Sequence, residues 1–173
     1  MRKSIVFRSI LLMLAASSSV SAQVVISEFR VRGPSGASDE FVELFNTGAS
    51  AADISGWVLR GSNSSGATSV RATVGAGVSI PAHGHFLFTN SSANGYSGLV
   101  AGNLTYTTGI TDTGGIAIFQ ADGTTVVDQV GLDVGSAYRE GTVLASLGSS
   151  NTNRGYERLA GGASGSFQDT GDN

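Results

Sequence analysis

The sequence has no cysteine and only two prolines in 173 residues, whereas it has 25 glycines. The lack of cysteine excludes disulfide frameworks, thiolate zinc sites and cysteine nucleophiles. Charged residues are also few, at 13% of the chain, which excludes a disordered polyelectrolyte or a basic tail. A chain of this length buries enough surface to fold as one domain without disulfides, so stability must come from an apolar core.

The N-terminus has the three-part pattern of a secretory signal peptide. Basic residues at positions 2, 3 and 8 flank a short apolar run at 10–16, and small residues precede Ala22. The run is far shorter than the roughly 20 residues of a membrane-spanning helix. The pattern therefore predicts a signal peptide at 1–22, cleaved after Ala22, and a mature chain that is secreted, extracellular or at the cell surface. The alternative is an uncleaved N-terminal anchor.

Positive charge is scarce once this segment is removed. Seven arginines and thirteen acidic residues then remain, a formal charge of −6. The arginines are scattered, which disfavours strong nucleic-acid binding because a phosphate backbone needs clustered cations. No later apolar run reaches membrane-spanning length, so no transmembrane segment is expected after signal removal.

From Gln23 onward, short apolar runs rich in Val, Ile, Thr and Phe alternate with Gly, Ser and Asn. Such runs are typical of strands, and no window of about 12 residues or more has helical periodicity. The predicted strands are 24–32, 40–46, 56–60, 67–74, 78–80, 85–89, 103–107, 115–120, 125–131 and 156–159. Many short strands predict an all-β sandwich or barrel, here over 23–160. A flexible Asp/Gly-rich C-terminal tail is expected at 161–173.

Alternation along the strands assigns side chains to faces. Val42 and Leu44 are predicted to point inward, with the neighbouring phenylalanines opposite. Since both faces of this strand are apolar, the alternative is a strand covered on both faces, and the pattern does not decide between them. Trp57 and Leu59 share a face that we assign to the core, with Trp57 as an aromatic plug between two sheets. Asp122-Gly123 predicts a hairpin turn, since Asp-Gly tolerates positive φ.

Several segments, in their order along the chain, resemble the lamin-tail domain family in its bacterial secreted form. The similar segments are 26–29, 40–46, 53–59, 80–88, 122–123 with 127–131, and Arg158 followed by 168–173. The motif residues within them are Glu28, Glu40, Glu43, Asn46, Gly56, Trp57 and Asp128. The resemblance implies an immunoglobulin-like β-sandwich of antiparallel strands. It also implies a binding or attachment module rather than an enzyme, of a type that accompanies extracellular nucleases and other hydrolases.

The acidic residues do not form an evident catalytic pair. Glu40 and Glu43 are three residues apart, so on one strand they point to opposite faces. Glu28 or Glu43 is instead predicted to cap the sheet edge or to pair with an arginine such as Arg30 or Arg60. We therefore assign these carboxylates a structural role.

Other reaction centres are equally poorly supported. His83 and His85 could share a strand face, but the glycine between them and the nearby proline predict a turn rather than a zinc site. No Gly-x-Ser-x-Gly segment places a serine nucleophile between a strand and a helix. We therefore predict no catalytic residues.

Calcium is the single cofactor with candidate ligands, because several aspartates lie in Gly-rich loops. Asp169 and Asp172 are the first candidates, and turn formation is the alternative role for such residues.

The leading functional hypothesis is a secreted, non-enzymatic module that binds an unidentified protein, glycan or envelope partner. The alternative is a structural or cell-surface assembly protein that pairs through sheet edges. A metal-dependent hydrolase is a third hypothesis.

Overall fold

The computed structural model describes residues 23–162 and 165–172, so the predicted signal peptide lies outside the described residues. The described residues form strands and loops without an α-helix. The strands are β1 (Val24–Arg30), β2 (Phe41–Asn46), β3 (Ala52–Asp53), β4 (Val58–Ser62), β5 (Thr68–Thr73), β6 (Ser79–Ile80), β7 (His85–Asn90), β8 (Leu104–Tyr106), β9 (Gly115–Phe119), β10 (Val126–Gly131) and β11 (Tyr156–Glu157).

Two larger sheets form a sandwich, and the predicted all-β, immunoglobulin-like fold is confirmed. The first sheet has the order β11-β1-β2-β7-β8, and the second has the order β10-β9-β4-β5. A third, two-stranded sheet pairs β3 with β6. All pairs are antiparallel except β7 with β8, which run parallel. The chain therefore departs in one place from the all-antiparallel sandwich that was expected.

The main core cluster contains apolar residues from both larger sheets, whereas β9 is buried at every position and places Ala117 and Phe119 in a second, smaller cluster with Tyr138. In β2, Val42 and Leu44 are fully buried while the phenylalanines beside them are only partly buried, as the alternation predicted. From the second sheet, Leu59 and Ile118 enter the same apolar cluster and are also fully buried. The cluster therefore joins the two sheets.

The position of Trp57 differs from the prediction that it fills the centre of this core. It lies just before β4, is only partly buried, and packs against the edge of the cluster. The largest fully buried side chains include Phe88, Ile54 and Leu44. Trp57 contacts the core, but it is wrong to assign it the role of the central plug.

The strand predictions agree with the structure apart from their ends and the two-residue strand β3. The β9–β10 hairpin turns at Gly123, whose φ is 67°, and Gly123 N donates to Gln120 O at 2.9 Å. The predicted turn before β7 is also present, since Gly84 N donates to Pro81 O at 2.9 Å. Strand β3 was missed because two residues are too few to produce alternation.

Within the described residues, no helix is long and apolar enough to cross a membrane.

Candidate binding cleft

A cleft of about 510 Å³ opens at one edge of the sandwich, beside β1, β10 and β11. Its apolar lining comes from Ile26, Phe29, Val130, Leu144 and Leu159. Polar residues Ser27, Glu157, Arg158, Gln168, Thr170 and Asp172 also line it. A volume of roughly 300–1,000 Å³ with an apolar lining and a few polar groups is typical of ligand sites.

An ion pair between Asp128 and Arg158 lies beside this cleft. Arg158 Nη2 donates to both carboxylate oxygens of Asp128, at 2.9 and 2.7 Å. The Asp128 side chain is 1% exposed and that of Arg158 is 14% exposed, so solvent screens the pair poorly. Asp128 belongs to β10 of the second sheet, whereas Arg158 directly follows β11 of the first. The pair therefore bonds the two sheets at the open edge of the sandwich.

The side chains of Asp128 and Arg158 also bond the backbone of Ile26, where a neighbouring strand would otherwise do so. Asp128 Oδ2 accepts a hydrogen bond from Ile26 N at 2.5 Å, and Arg158 Nε donates to Ile26 O at 3.1 Å. The register of β1 against β2 is irregular between Ile26 and Glu28, at the place where β1 would otherwise present unpaired backbone groups. Since buried backbone groups need hydrogen bonds, the ion pair closes the exposed edge of β1.

Negative charge exceeds positive charge around Arg158. Burial raises the pKa of Asp128, although Arg158 and Ile26 N oppose this shift. Burial also raises the pKa of Glu140, and the charges of Asp128 and Asp169 raise it further. In the cleft lining itself, Arg158 lies with the carboxyl groups of Glu157 and Asp172. Hydrogen bonds from Ser166 and Gly162 lower the pKa of Glu157, so the raised carboxyl pKa values around Arg158 belong to Asp128 and Glu140 and not to the lining.

The two calcium candidates lie in the segment that closes one side of the cleft. Asp169 Oδ1 accepts from Gly171 N at 3.1 Å and lies 3.4 Å from Arg158 Nη1. Asp172 Oδ1 accepts from Thr142 N at 2.5 Å. Within residues 23–162 and 165–172, no three His, Cys, Asp or Glu side chains converge as a metal site. Calcium binding by Asp169 and Asp172 stays a prediction.

Glu40 forms a second buried polar centre, away from the cleft. Its carboxyl accepts hydrogen bonds from Asn90 Nδ2 at 2.9 Å and from Ile110 N at 2.8 Å. Glu40 is 1% exposed, and burial raises its pKa to about 7, although these two hydrogen bonds lower it. Burial likewise raises the pKa of the nearby Tyr106, as does the charge of Glu40. Glu40 thus connects β2 to the end of β7 and to the loop before β9.

Glu43 points to the outer face of the first sheet, opposite to Glu40, as predicted. Its Oε1 accepts from Ser27 Oγ at 2.7 Å and lies 2.9 Å from His85 Nδ1. Glu28 lies between Glu43 and Glu157 in the strand register. Burial raises the pKa of Glu28, and the charges of these two neighbouring glutamates raise it further.

Among the described residues, Glu28 and Glu43 form no ion pair with Arg30 or Arg60, which corrects that part of the prediction, although the charge of Arg30 opposes the raised pKa of Glu28. The alternative, a cap on the sheet edge, stays a prediction. Arg30 itself forms a buried ion pair with Asp39, whose side chain is inaccessible to solvent. Asp39 also accepts hydrogen bonds from Ser97 N and Ser97 Oγ, at 2.9 and 2.6 Å. These bonds lower the pKa of Asp39, although burial opposes the shift. Asp39 was missed because its partner Ser97 is 58 residues away in sequence.

Asn46 and Gly56 hold turns rather than a ligand. Asn46 is fully buried, and its Nδ2 donates to the carbonyl oxygens of Ser50, Ile80 and Pro81 at 2.8–3.0 Å. Gly56 has a φ of 74°, a conformation that favours glycine. None of the seven motif residues lines the cleft, but Asp128 bonds Arg158 and Glu28 pairs with Glu157 in the strand register, and both of those partners line it. The apolar cleft residues were not singled out as a site, because they read as ordinary strand residues.

Several structural features involve the segments that resemble the lamin-tail family. They are the order of the strands, the turns at Asn46 and Gly56, and the bond that Asp128 makes across the two sheets. A comparison with protein families matches the lamin tail domain over residues 17–133. The chain belongs to the lamin tail domain family. The match ends before β11, so the part of this lamin tail domain that supplies Arg158 and the closing segment lies beyond it. A comparison with curated proteins gave no match.

Proposed function

We propose that this lamin tail domain is a secreted, non-enzymatic binding or attachment module that receives its partner in the cleft beside β1. The observation that carries the proposal is the cleft itself, with its apolar lining and polar groups at the open edge of a sandwich. Loops and clefts held by a rigid β-sandwich are common sites of recognition. Secretion is proposed from the N-terminal pattern at 1–22.

The charge of the domain limits the chemistry of its partner. A mature chain with a formal charge of −6 repels a phosphate backbone, which argues against nucleic acid as the partner. A protein segment, glycan or envelope component that offers an apolar group would fit the lining of the cleft. In bacterial secreted proteins, such a module would attach an accompanying nuclease or other hydrolase to its surroundings.

The arrangement around Ser27 supports a non-catalytic role. In a serine hydrolase, histidine lies between the serine and the carboxylate and accepts the proton of the serine. Here Glu43 lies between the other two groups, since its Oε1 contacts both Ser27 Oγ and His85 Nδ1. The histidine therefore does not reach the serine as its base.

A substitution in the cleft tests the proposal. Leu159 lines the cleft and is 64% exposed, so Leu159→Arg changes the cleft without emptying the core. We expect this variant to lose binding to the glycan, protein or envelope fraction that the purified wild type retains in a panel. Val134→Arg is the matched control, because Val134 is 71% exposed and does not line the cleft. Hydrolysis of a panel component without any binding would contradict the proposal.

A second candidate function, assembly through sheet edges, is favoured by strand β5. This strand is at the edge of the second sheet, has six residues without proline and with Arg71 as its single charged residue, and exposes Val70 at 47%. An edge strand of this kind can pair with another strand. If it does so, Val70→Lys should reduce any higher oligomer seen by sedimentation, whereas the Val134 control should not.

A further inference from the structure

The loop between β7 and β8 presents two apolar side chains to solvent. Leu99 is 104% exposed, so its side chain is fully accessible to solvent, and Val100 is 68% exposed. We call these two residues the loop tip. The stretch 86–111 that contains this loop has no Asp, Glu, Lys or Arg. The tip is thus an uncharged apolar projection from a domain that is otherwise acidic.

The base of this loop is held by a buried ion pair. Ser97 donates through its backbone and its hydroxyl to Asp39, which pairs with Arg30. The Arg30 guanidinium lies 5.8 Å from the ring centroid of Tyr96, whose edge meets Phe41 at 5.7 Å. Tyr96 N also donates to a β7 carbonyl. The segment directly before the tip is therefore bonded to the first sheet.

The second end of the loop is also held. Asn103 N donates to Leu87 O, and Asn103 Oδ1 accepts from Leu87 N, both at 2.8 Å. A tip with both ends bonded to a sheet loses less conformational entropy on binding than a free loop would. Exposing large apolar side chains on such a support is unfavourable in water, so the arrangement points to an interaction surface.

We propose that the loop tip of one copy inserts into the cleft of a second copy. The proposal rests on the proposed function, because it uses the same cleft and names its occupant. The cleft offers the apolar lining that the tip needs, with Phe29 and Leu159 among its walls. An uncharged loop approaches the carboxylates of Glu157 and Asp172 without like-charge repulsion.

The tip and the cleft share no residue, so a pair of copies still has one free cleft, on the copy that gave its tip, and one free tip, on the copy that gave its cleft. Such a head-to-tail contact can repeat, and repetition forms a ring or a chain. The apolar area offered by two side chains is small, so the association depends strongly on protein concentration.

Sedimentation velocity of the purified full chain over a range of concentrations tests the proposal. Wild type is expected to form dimers and larger species as its concentration rises. Leu99→Glu combined with Val100→Glu should weaken this association at least about tenfold, since burying a leucine is worth more than a factor of ten. Leu159→Arg should have the same effect from the side of the cleft. Val134→Glu is the control and should associate like wild type.

Mixing the two variants identifies the contact. The tip variant keeps an intact cleft and the Leu159→Arg variant keeps an intact tip, so together they should form a 1:1 heterodimer and nothing larger. Association of Leu159→Arg with itself would overturn the proposal in favour of tip-to-tip pairing. Association of the tip variant at wild-type strength would overturn it in favour of β5 edge pairing.

Two further outcomes separate this proposal from others. A monomeric wild type whose loop tip is required for flotation with phosphatidylcholine vesicles would overturn self-association in favour of a lipid surface. If the tip variant still binds a panel component that Leu159→Arg has lost, while wild type stays monomeric, the proposed function stands and the second copy as occupant is wrong. If both variants keep that binding, the result contradicts the use of the cleft.

Discussion

At the scale of single residues, Glu40 makes stability depend on pH. Its pKa in the folded chain is about 7, above the ordinary value of 4.5. Between these two values the unfolded chain has ionised Glu40 while the folded chain keeps the proton. Folding then takes up a proton, so the free energy of unfolding falls as pH rises through this window. Below about pH 4.5 both states are protonated and the difference disappears.

Glu40→Gln should remove this dependence. We expect the free energy of unfolding of wild type to drop by about 3 kcal/mol more than that of the variant between pH 4.5 and pH 8. Urea unfolding at several pH values measures the difference. Asp128 and Glu28 also have raised pKa values, so wild type and variant must be compared at each pH. Identical pH slopes for the two proteins would show that Glu40 is not the source.

Replacing Arg158 should lower the free energy of unfolding strongly, because its loss leaves Asp128 buried without a cation. We expect Arg158→Met to destabilise the fold by about 3–5 kcal/mol at neutral pH. Combining it with Asp128→Asn should recover part of this loss, since the remaining amide oxygen can still accept from Ile26 N. Thermal and urea unfolding of the two single variants and the double variant give the coupling energy. Additive losses would contradict a direct pairing.

At the scale of elements, substitutions in the segment before β4 measure how much Trp57 contributes to the stability of the core. A fully buried aromatic costs about 3–5 kcal/mol when replaced by alanine, but Trp57 is only partly buried. We expect Trp57→Ala to cost about 1–3 kcal/mol. Ile54→Ala should cost more, because Ile54 is fully buried in the same segment. Thermal unfolding followed by circular dichroism ranks the two variants, and the reverse order would restore Trp57 as the central plug.

At the scale of the whole molecule, calcium bound by Asp169 and Asp172 would fasten the closing segment to the sandwich. Bound ions that favour the folded state raise Tm. If the two aspartates bind calcium, millimolar calcium should raise the Tm of the wild type but not of an Asp169→Asn, Asp172→Asn double variant. Differential scanning calorimetry with magnesium as the control measures this. An unchanged wild-type Tm would remove these residues as calcium ligands.

The fold was largely predictable from the sequence because alternation records burial along each strand. Val42 and Leu44 show this, since a period of two within one strand assigns them to the core without knowledge of any partner strand. The Asp122-Gly123 turn was predictable for a similar reason, because positive φ is a local requirement. Trp57 was overestimated because the identity of a residue does not tell how deeply its neighbours cover it.

The sequence by itself determined the all-β sandwich, the approximate strand bounds, the absence of disulfides and the likeness to the lamin tail domain. Each of these depends on local spacing or on composition. Only the tertiary structure decided which distant groups meet. Asp128 reaches the backbone of Ile26, 102 residues earlier, and Arg158 lies 30 residues beyond Asp128. The cleft lies beside these long-range bonds, and strand periodicity does not encode such contacts.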